Sequence, residues 1–333
     1  MAARGPQTAQ QRDRTDQRAE FLLGALASAV LVLIAFMIAF VFAKAWPSFA
    51  HNGLDWFGAG GNVDEQLTGI FNSPADPSDY VYTLHAWPLI YGTALITGAA
   101  VLLGTLVSLL SAMFIVEFAP GWIRAILQPV VRLLAAVPSV IYGLIGIIVL
   151  VPFFGNHVIG PARKESVQYV IQLDGSSILV GTLVLTVMIT PIMIAITVDA
   201  LRSVPRNWTE GAAALGVNRF RALRTVGLRA ARPAIVAAAI LATARALGEA
   251  IMLSMVTGSV AFAPNPLDGV TFFFEPTRTL AAQIVEGAEG LSVKPFGQTM
   301  YAFAALLLIS SAFLSFGGWL ARRSMRKYTL APR

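Results

Sequence analysis

The chain has 333 residues, of which 56% are hydrophobic and 13% are charged, about half the charged fraction of an ordinary soluble domain. With a mean hydropathy of +0.69, this composition excludes both a water-soluble globular protein and an intrinsically disordered chain. The net charge of +6 does not indicate nucleic-acid binding, because the basic residues are sorted between the two sides of a membrane, as described below.

Six apolar segments are long enough to cross about 30 Å of hydrocarbon, which takes about 20 helical residues. They lie at 21–43, 89–116, 133–154, 178–198, 234–262 and 296–321. The sequence therefore predicts an all-α polytopic membrane protein with six transmembrane helices. The first segment is far longer than the roughly 7–15-residue apolar core of a signal peptide, so we expect it to remain as an uncleaved helix.

The loops between these spans divide the basic residues unequally. The side of the membrane that holds both termini carries 18 Lys and Arg residues, and the other side carries five. Because basic residues accumulate in cytoplasmic loops, we expect both termini to be cytoplasmic and the protein to lie in a bacterial cell membrane in contact with lipid. The polar segment 1–20 is predicted to be a disordered tail, and 322–333 a basic tail.

Two loops are long enough to have their own organisation. The extracytoplasmic loop 44–88 contains a glycine-rich stretch and the prolines Pro74, Pro77 and Pro88, and is predicted to be turn-rich. The cytoplasmic loop 201–233 carries seven arginines and is predicted to form two short helices, the first ended by Gly216 and the second capped by Asn218. It either lies on lipid headgroups or docks on a cytoplasmic partner.

A charged pair lies within the fifth span. Arg245 and Glu249 each cost a few kcal/mol near the bilayer centre unless they face protein or water. Their spacing of four residues predicts one helical face. Either they form an intrahelical ion pair, or Arg245 binds an oxyanion with its planar fork while Glu249 is its resting partner. We favour the second reading, because intramembrane charge usually marks a transport path.

Two hydroxyl residues stand beside prolines within spans. Ser139 follows Pro138, and Thr190 precedes Pro191. Their hydroxyls would either contact a transported substrate or support a helix kink, and the sequence does not decide between the two.

Signatures of catalysis are lacking in the sequence. There is no cysteine, and none of the four lysines follows a glycine, which excludes thiolate chemistry and the phosphate-binding Gly-Lys of nucleotide hydrolases. The three histidines lie apart in outer loops. We therefore expect no catalytic residue, no metal and no cofactor bound by this chain.

The loop 201–233 resembles the EAA loop of ABC-importer permeases. The resemblance rests on Glu210-Gly211-Ala212, on Gly216, and on Val226-Gly227-Leu228 at the matching distance. Gly211 stands where the family has Ala, Val226 where it has Ile, and Arg229 where it has Pro. In that family the loop forms a coupling helix, which implies that Glu210, Gly211, Ala212, Gly216, Val226 and Leu228 contact an ATP-binding subunit.

Two further stretches, 136–144 and 244–249, resemble the permeases of phosphate-specific importers, and the first is closer to the PstC type than to the PstA type. The resemblance implies a MetI-like type I ABC importer permease, with 89–321 as the five-helix core. It also implies that Arg245 and Glu249 line the phosphate path.

The implied partners are a second permease of the PstA type, two ATP-binding subunits of the PstB type that hold ATP and Mg²⁺, and an extracytoplasmic phosphate-binding protein of the PstS type. Two alternatives remain open. The importer could carry another oxyanion such as sulfate or molybdate, because one arginine recognises charge and geometry better than identity. The chain could instead be a secondary transporter driven by an ion gradient.

Overall fold

A computed structural model describes the backbone of residues 9–325, and the side-chain environment of 18–323 except 206, 209, 213 and 322. Within this part of the chain, six helical segments are long and apolar enough to cross a membrane. They are Arg18–Phe57, Trp87–Phe118, Ser139–Val158, Ile178–Arg202, Arg219–Leu247 and Lys294–Ala321. The prediction of an all-α fold with six spans is confirmed.

The helices, in chain order, are α1 (Ala9–Asn52), α2 (Val63–Phe71), α3 (Trp87–Met113), α4 (Gly121–Ala136), α5 (Ser139–Ile145), α6 (Val151–Phe153), α7 (Pro161–Val167), α8 (Ile178–Arg202), α9 (Arg206–Ala214), α10 (Arg219–Ala222), α11 (Leu228–Leu247), α12 (Ile251–Val256), α13 (Leu280–Glu286) and α14 (Lys294–Met325). Wider turns join α5 to α6 and α10 to α11 into continuous spans. We call the side that carries the loop from α8 to α10 the basic side, and the side that carries 53–86 and 257–293 the acidic side.

The fourth span, α8, is the most buried of the six and forms the centre of the bundle. Its side chains Leu185, Ile189 and Met193 are almost fully buried and pack against α3, α11 and α12. Gly104 of α3 lies directly against Ile189, because a residue without a side chain allows two helices to approach closely. The remaining spans surround α8 and expose apolar side chains outward, as expected in lipid.

On the acidic side, residues 44–86 pack as a cap over α14. Trp56 is fully buried, with its ring centroid 5.7 Å from that of Phe303. This segment is more helical than the predicted turn-rich loop, because α1 continues to Asn52 and α2 begins after Asn62, whose side chain accepts from the N–H of Asp64 at 2.9 Å. Such a cap satisfies one of the free N–H groups of a helix start.

The N-terminal segment also differs from the prediction. α1 begins at Ala9, so the disorder predicted for 1–20 does not extend over 9–20, since a long apolar helix can propagate into polar residues without a new nucleation step. Residues 1–8, and 326–333 of the predicted basic tail, lie outside the described residues.

The third span was predicted six residues too early. It begins at Ser139 rather than at 133, because Val137 precedes Pro138 and is extended, with ψ of 130°. A residue before proline is disfavoured in the helical region. The preceding apolar residues belong instead to α4, which packs through Leu127 and Val131 on the basic-side end of α8.

Candidate functional site

The fifth span is interrupted beside its two charged residues. α11 ends at Leu247 and α12 begins at Ile251, so the continuous helix predicted over 234–262 is wrong. Gly248 is a poor helix former, and the N–H of Glu249 turns to the carbonyl of Ala246 at 3.2 Å. Arg245 and Glu249 therefore do not share one helical face.

The two charged side chains also have different surroundings. Glu249 is 9% exposed, and its carboxylate accepts a hydrogen bond from the N–H of Met252 at 3.3 Å. Arg245 is exposed in the last turn of α11. The described residues form two ion pairs, and both are made by Arg278. The resting pair between Arg245 and Glu249 that the spacing predicted is therefore not formed.

The two proline-linked hydroxyls are placed differently from each other. Ser139 is the first residue of α5 and is partly exposed. Thr190 is buried in α8, and its hydroxyl donates to the carbonyl of Thr186 at 2.7 Å. This hydrogen bond occupies the only donor of the side chain. The structure describes all four predicted site residues, and it shows no hydrogen bond or ion pair between any two of Ser139, Thr190, Arg245 and Glu249.

The predicted coupling loop forms the expected first helix. α9 spans Arg206–Ala214 and is followed by Gly216 in the left-handed region, at φ of +79°. Glycine adopts this conformation without steric cost. Asn218 then caps α10 by accepting from the N–H of Arg221 at 2.8 Å. The predicted second short helix, α10, is not a separate element, because it continues into the fifth span, Arg219–Leu247.

The motif residues lie on both sides of this turn. Glu210, Gly211 and Gly216 are exposed, whereas Ala212 is partly buried. Val226 and Leu228 are partly buried at the beginning of the fifth span. Leu215, which the motif did not single out, is 85% exposed at the tip of the loop. An apolar side chain that is so exposed outside the spans is typical of a contact surface. Its position in the sequence, directly before Gly216 of the motif, could have identified it.

A second polar cluster, on the acidic side, could not be found from sequence spacing. Arg278 forms ion pairs with Asp64 at 2.6 Å and with Glu286 at 3.0 Å. It also donates to the side chain of Gln283 at 2.7 Å and to the carbonyl of Ser259. Arg278 thereby joins the cap, the loop after α12, and α13; we call this set the Arg278 clamp.

The Arg278 clamp holds an unusual backbone. Ser259 has φ of +49° and is the one described residue other than glycine with a positive φ, a conformation that carries strain in most residues. Its hydroxyl lies 2.5 Å from Glu286 and 2.8 Å from the carbonyl of Ser254, so it donates to one of the two. Two carboxylates around one guanidinium leave the clamp with a net negative charge, which disfavours an anion-binding role.

The described residues contain no group of three or more His, Cys, Asp or Glu side chains placed to hold a metal ion. A buried acidic residue, Glu275, accepts from the backbone N–H of Asn265 at 3.2 Å. Burial raises the pKa of the Glu275 carboxyl, and the nearby carboxylate of Asp268 adds to the rise.

The chain resembles known transport proteins over most of its length. The model of the family described as binding-protein-dependent transport system inner membrane component matches residues 104–327. A probable ABC transporter permease protein, YqgH of Bacillus subtilis, is 36% identical over 263 residues, which are 78% of this chain and 77% of that protein. A probable phosphate transport system permease protein, PstC of Methanocaldococcus jannaschii, is 31% identical over 237 residues, 69% of this chain and 70% of that protein.

Solved structures show the same fold at low sequence identity. A subunit of the inward-facing MetNI methionine ABC transporter aligns with a TM-score of 0.50 at 20% identity, over 72% of this chain and 96% of that one. A chain of a bacterial alginate ABC transporter, in complex with a periplasmic protein bound to alginate pentasaccharide, aligns with a TM-score of 0.54 at 15% identity, over 96% and 99%. The helices described above are thus arranged as in importer permeases.

Proposed function

This chain belongs to the family of binding-protein-dependent transport system inner-membrane components, and we propose that it is the permease subunit of an ATP-driven importer of inorganic phosphate. The family and the fold make it an ABC importer permease. Phosphate as the substrate is supported by the similarity to the probable phosphate transport system permease protein PstC and by the chemistry of Arg245.

The observation that carries the proposal is the isolated guanidinium of Arg245. It lies beside the break of a membrane span, with no ion-pair partner among the described residues. A charge at such a depth is retained where it serves a transport path. A guanidinium offers a planar pair of donors that matches two oxygens of phosphate.

The neighbouring residues then have distinct roles. Glu249 holds the start of α12 through its hydrogen bond to Met252 and so fixes the break next to Arg245. Ser139, at the start of α5, can add a hydroxyl contact to the substrate. Thr190 is proposed to support α8 beside Pro191, which lies inside the helix, since its hydroxyl already bonds to Thr186.

ATP hydrolysis is assigned to partner subunits. The exposed residues Glu210, Gly211 and Gly216 and the partly buried Ala212, Val226 and Leu228 form the surface that couples to an ATP-binding subunit, with Leu215 at its tip. We propose a complex with a second permease of the PstA type, two ATP-binding subunits of the PstB type, and a PstS-type binding protein that delivers phosphate to the acidic side. The basic side with both termini is then cytoplasmic.

The proposal is tested by uptake of radiolabelled phosphate into cells that lack other phosphate importers. Arg245→Gln should lower the initial rate roughly 10- to 100-fold, the loss expected when one or two charge-assisted hydrogen bonds to the substrate disappear. Arg245→Lys should retain part of the rate, because it keeps the charge but not the fork. The matched control is Lys294→Gln, which removes an exposed charge on the acidic side.

Three outcomes contradict the proposal. Phosphate uptake that is unchanged in Arg245→Gln, at normal expression, removes Arg245 from the path. Competition by sulfate or molybdate as strong as by phosphate assigns another oxyanion. Uptake that survives ATP depletion and stops when ion gradients are dissipated assigns a secondary transporter.

The coupling role has its own test. Glu210→Lys should abolish both co-purification of an ATP-binding subunit and ATP-dependent uptake. Glu65→Lys is the matched charge reversal, because Glu65 is exposed on the acidic side. If both activities persist in Glu210→Lys, the loop does not couple this chain to ATP hydrolysis.

A further inference from the structure

A cavity of about 530 Å³ opens on the basic side between α9 and the beginning of the fifth span. The described residues that line it are Trp208, Thr225, Val226, Arg229, Ala230, Arg232 and Pro233. It is distinct from the Arg245 site, since Arg232 precedes Arg245 by 13 residues of sequence, or about 20 Å along a helix.

The cavity carries two positive charges and no described carboxylate in its lining. Arg229 and Arg232 are both exposed, and no acidic group of the described chain forms an ion pair with either. The hydroxyl of Thr225 donates to the carbonyl of Arg221 at 2.7 Å, so it does not compete for these guanidiniums. The electrostatics of the cavity therefore favour an anion.

The cavity lies at the depth of the lipid headgroups. Arg232 is the last charged residue before 12 consecutive uncharged residues, 233–244, that continue the fifth span. Charged residues at such a boundary reach the interface between hydrocarbon and water. Trp208, on the facing wall, is a residue type that is enriched at the same interface.

We propose that this cavity binds the phosphate group of an anionic phospholipid from the surrounding leaflet. The guanidiniums of Arg229 and Arg232 can each take two phosphate oxygens. The walls formed by Ala230 and Pro233 suit the glycerol and the first acyl carbons. Basic pockets between membrane helices on the cytoplasmic side favour such headgroups. Free inorganic phosphate shares the oxygens but would leave these apolar walls in contact with water.

A bound lipid would join two parts of the coupling region. Trp208 lies in α9, two residues before Glu210, whereas Arg229 and Arg232 lie in the span that leads to the interruption at Gly248. The headgroup would thus connect α9 to the fifth span. The inference does not depend on which anion is transported.

The test measures lipid retention by the full chain, purified with the subunits that co-purify with it and reconstituted in nanodiscs. Native mass spectrometry counts retained phosphatidylglycerol against phosphatidylcholine. Arg229→Gln with Arg232→Gln should weaken retention of phosphatidylglycerol about 30-fold, which corresponds to roughly 1 kcal/mol for each of two basic residues near a membrane surface. Arg221→Gln with Arg224→Gln removes two exposed charges of the same loop outside the cavity and should change retention little.

Each further outcome decides the proposal. Arg229→Lys with Arg232→Lys should restore most of the retention, which separates loss of charge from loss of folding. Binding of labelled inorganic phosphate in phosphatidylcholine nanodiscs, lost in the double Gln variant, would overturn the lipid assignment and make free phosphate the occupant. Equal retention of both lipids with no phosphate binding would overturn the proposal that the cavity binds an anion. Equal losses of phosphatidylglycerol retention in the cavity variant and the control variant would overturn it as well.

Discussion

Removing the guanidinium of Arg278 should destabilise the acidic side of the molecule more than removing either of its anions. Arg278→Met keeps the length of the side chain but deletes both ion pairs and the hydrogen bonds to Gln283 and Ser259. The cap then loses its ion pair to Arg278 and keeps the hydrogen bond that Asp64 accepts from the N–H of Ala261 at 3.3 Å. Ser259, with its positive φ, loses the hydrogen bond to its carbonyl and keeps the one made by its hydroxyl.

The exposure of the three charged groups sets the magnitude. The Arg278 side chain is 13% exposed, whereas those of Asp64 and Glu286 are 43% and 28% exposed. Breaking a fully buried pair costs roughly 3–5 kcal/mol, and an exposed pair contributes about 0.2–1 kcal/mol. Because the cation is mostly buried and the anions are partly hydrated, we expect about 3 kcal/mol for Arg278→Met and about 1 kcal/mol for Asp64→Asn.

The assay is a reversible unfolding titration in mixed micelles, followed by tryptophan fluorescence. The double variant should be only slightly less stable than Arg278→Met alone, because Asp64 has no cation to lose once Arg278 is gone. Lys294→Met is the control, since it deletes an exposed charge on the same side and should change stability by less than about 0.5 kcal/mol. Additive losses for Arg278 and Asp64, or a loss in the control equal to that of Arg278→Met, would refute the clamp.

Three other predictions concern separate sites. Gly175→Ala should prevent stable folding, because the φ of Gly175 is +109° and an added Cβ would collide with the carbonyl of Val151. The control Gly98→Ala should be neutral or stabilise by up to about 1 kcal/mol, because nothing lies within 4 Å of the added Cβ. Equal thermal stability of the two variants would contradict this prediction. Burial raises the pKa of Glu275, so this carboxyl ionises at lower pH in the unfolded chain than in the folded one, and stability should fall as the pH rises from the ordinary carboxyl pKa through the raised one. Glu275→Gln should remove this dependence of the unfolding free energy on pH. An unchanged dependence would exclude Glu275 as its source. Leu215→Asp should weaken co-purification of the ATP-binding subunit while the helical circular-dichroism signal stays unchanged; normal co-purification would exclude Leu215 from the interface.

The positions of most spans follow from hydropathy alone. The predicted segments 89–116, 178–198 and 296–321 each lie within an observed span and end within four residues of it, because a long uncharged stretch has few alternatives to a helix in lipid. The cap could not be predicted in this way. Its fully buried Trp56 packs on Phe303, a contact between residues that are far apart in the chain.

Hydropathy does not predict the end of a helix where the sequence on both sides of the break is largely apolar. Residues 133–137 before Pro138 and 250–253 after Glu249 are as apolar as those of the spans, so the average over a window conceals both breaks. The functional pair illustrates the consequence, because Arg245 and Glu249 have helical spacing but lie on different elements. The sequence therefore identified two unusual charges, and only the structure shows that Glu249 bonds to Met252 while Arg245 has no ion-pair partner among the described residues. The same limit applies to the Arg278 clamp, whose members are joined by tertiary packing alone.

The break and the clamp act on the same short helix. α12 is held at its start by Glu249 and at its end by the hydrogen-bonded Ser259. Gly143 of α5 lies against Met252, with room for no side chain, so α12 and α5 are packed too closely to move independently. α11, in contrast, is connected to α12 through the non-helical residues 248–250. A change of angle within the fifth span therefore costs least at these three residues, which places the movement next to the guanidinium of Arg245 rather than at the acidic-side surface.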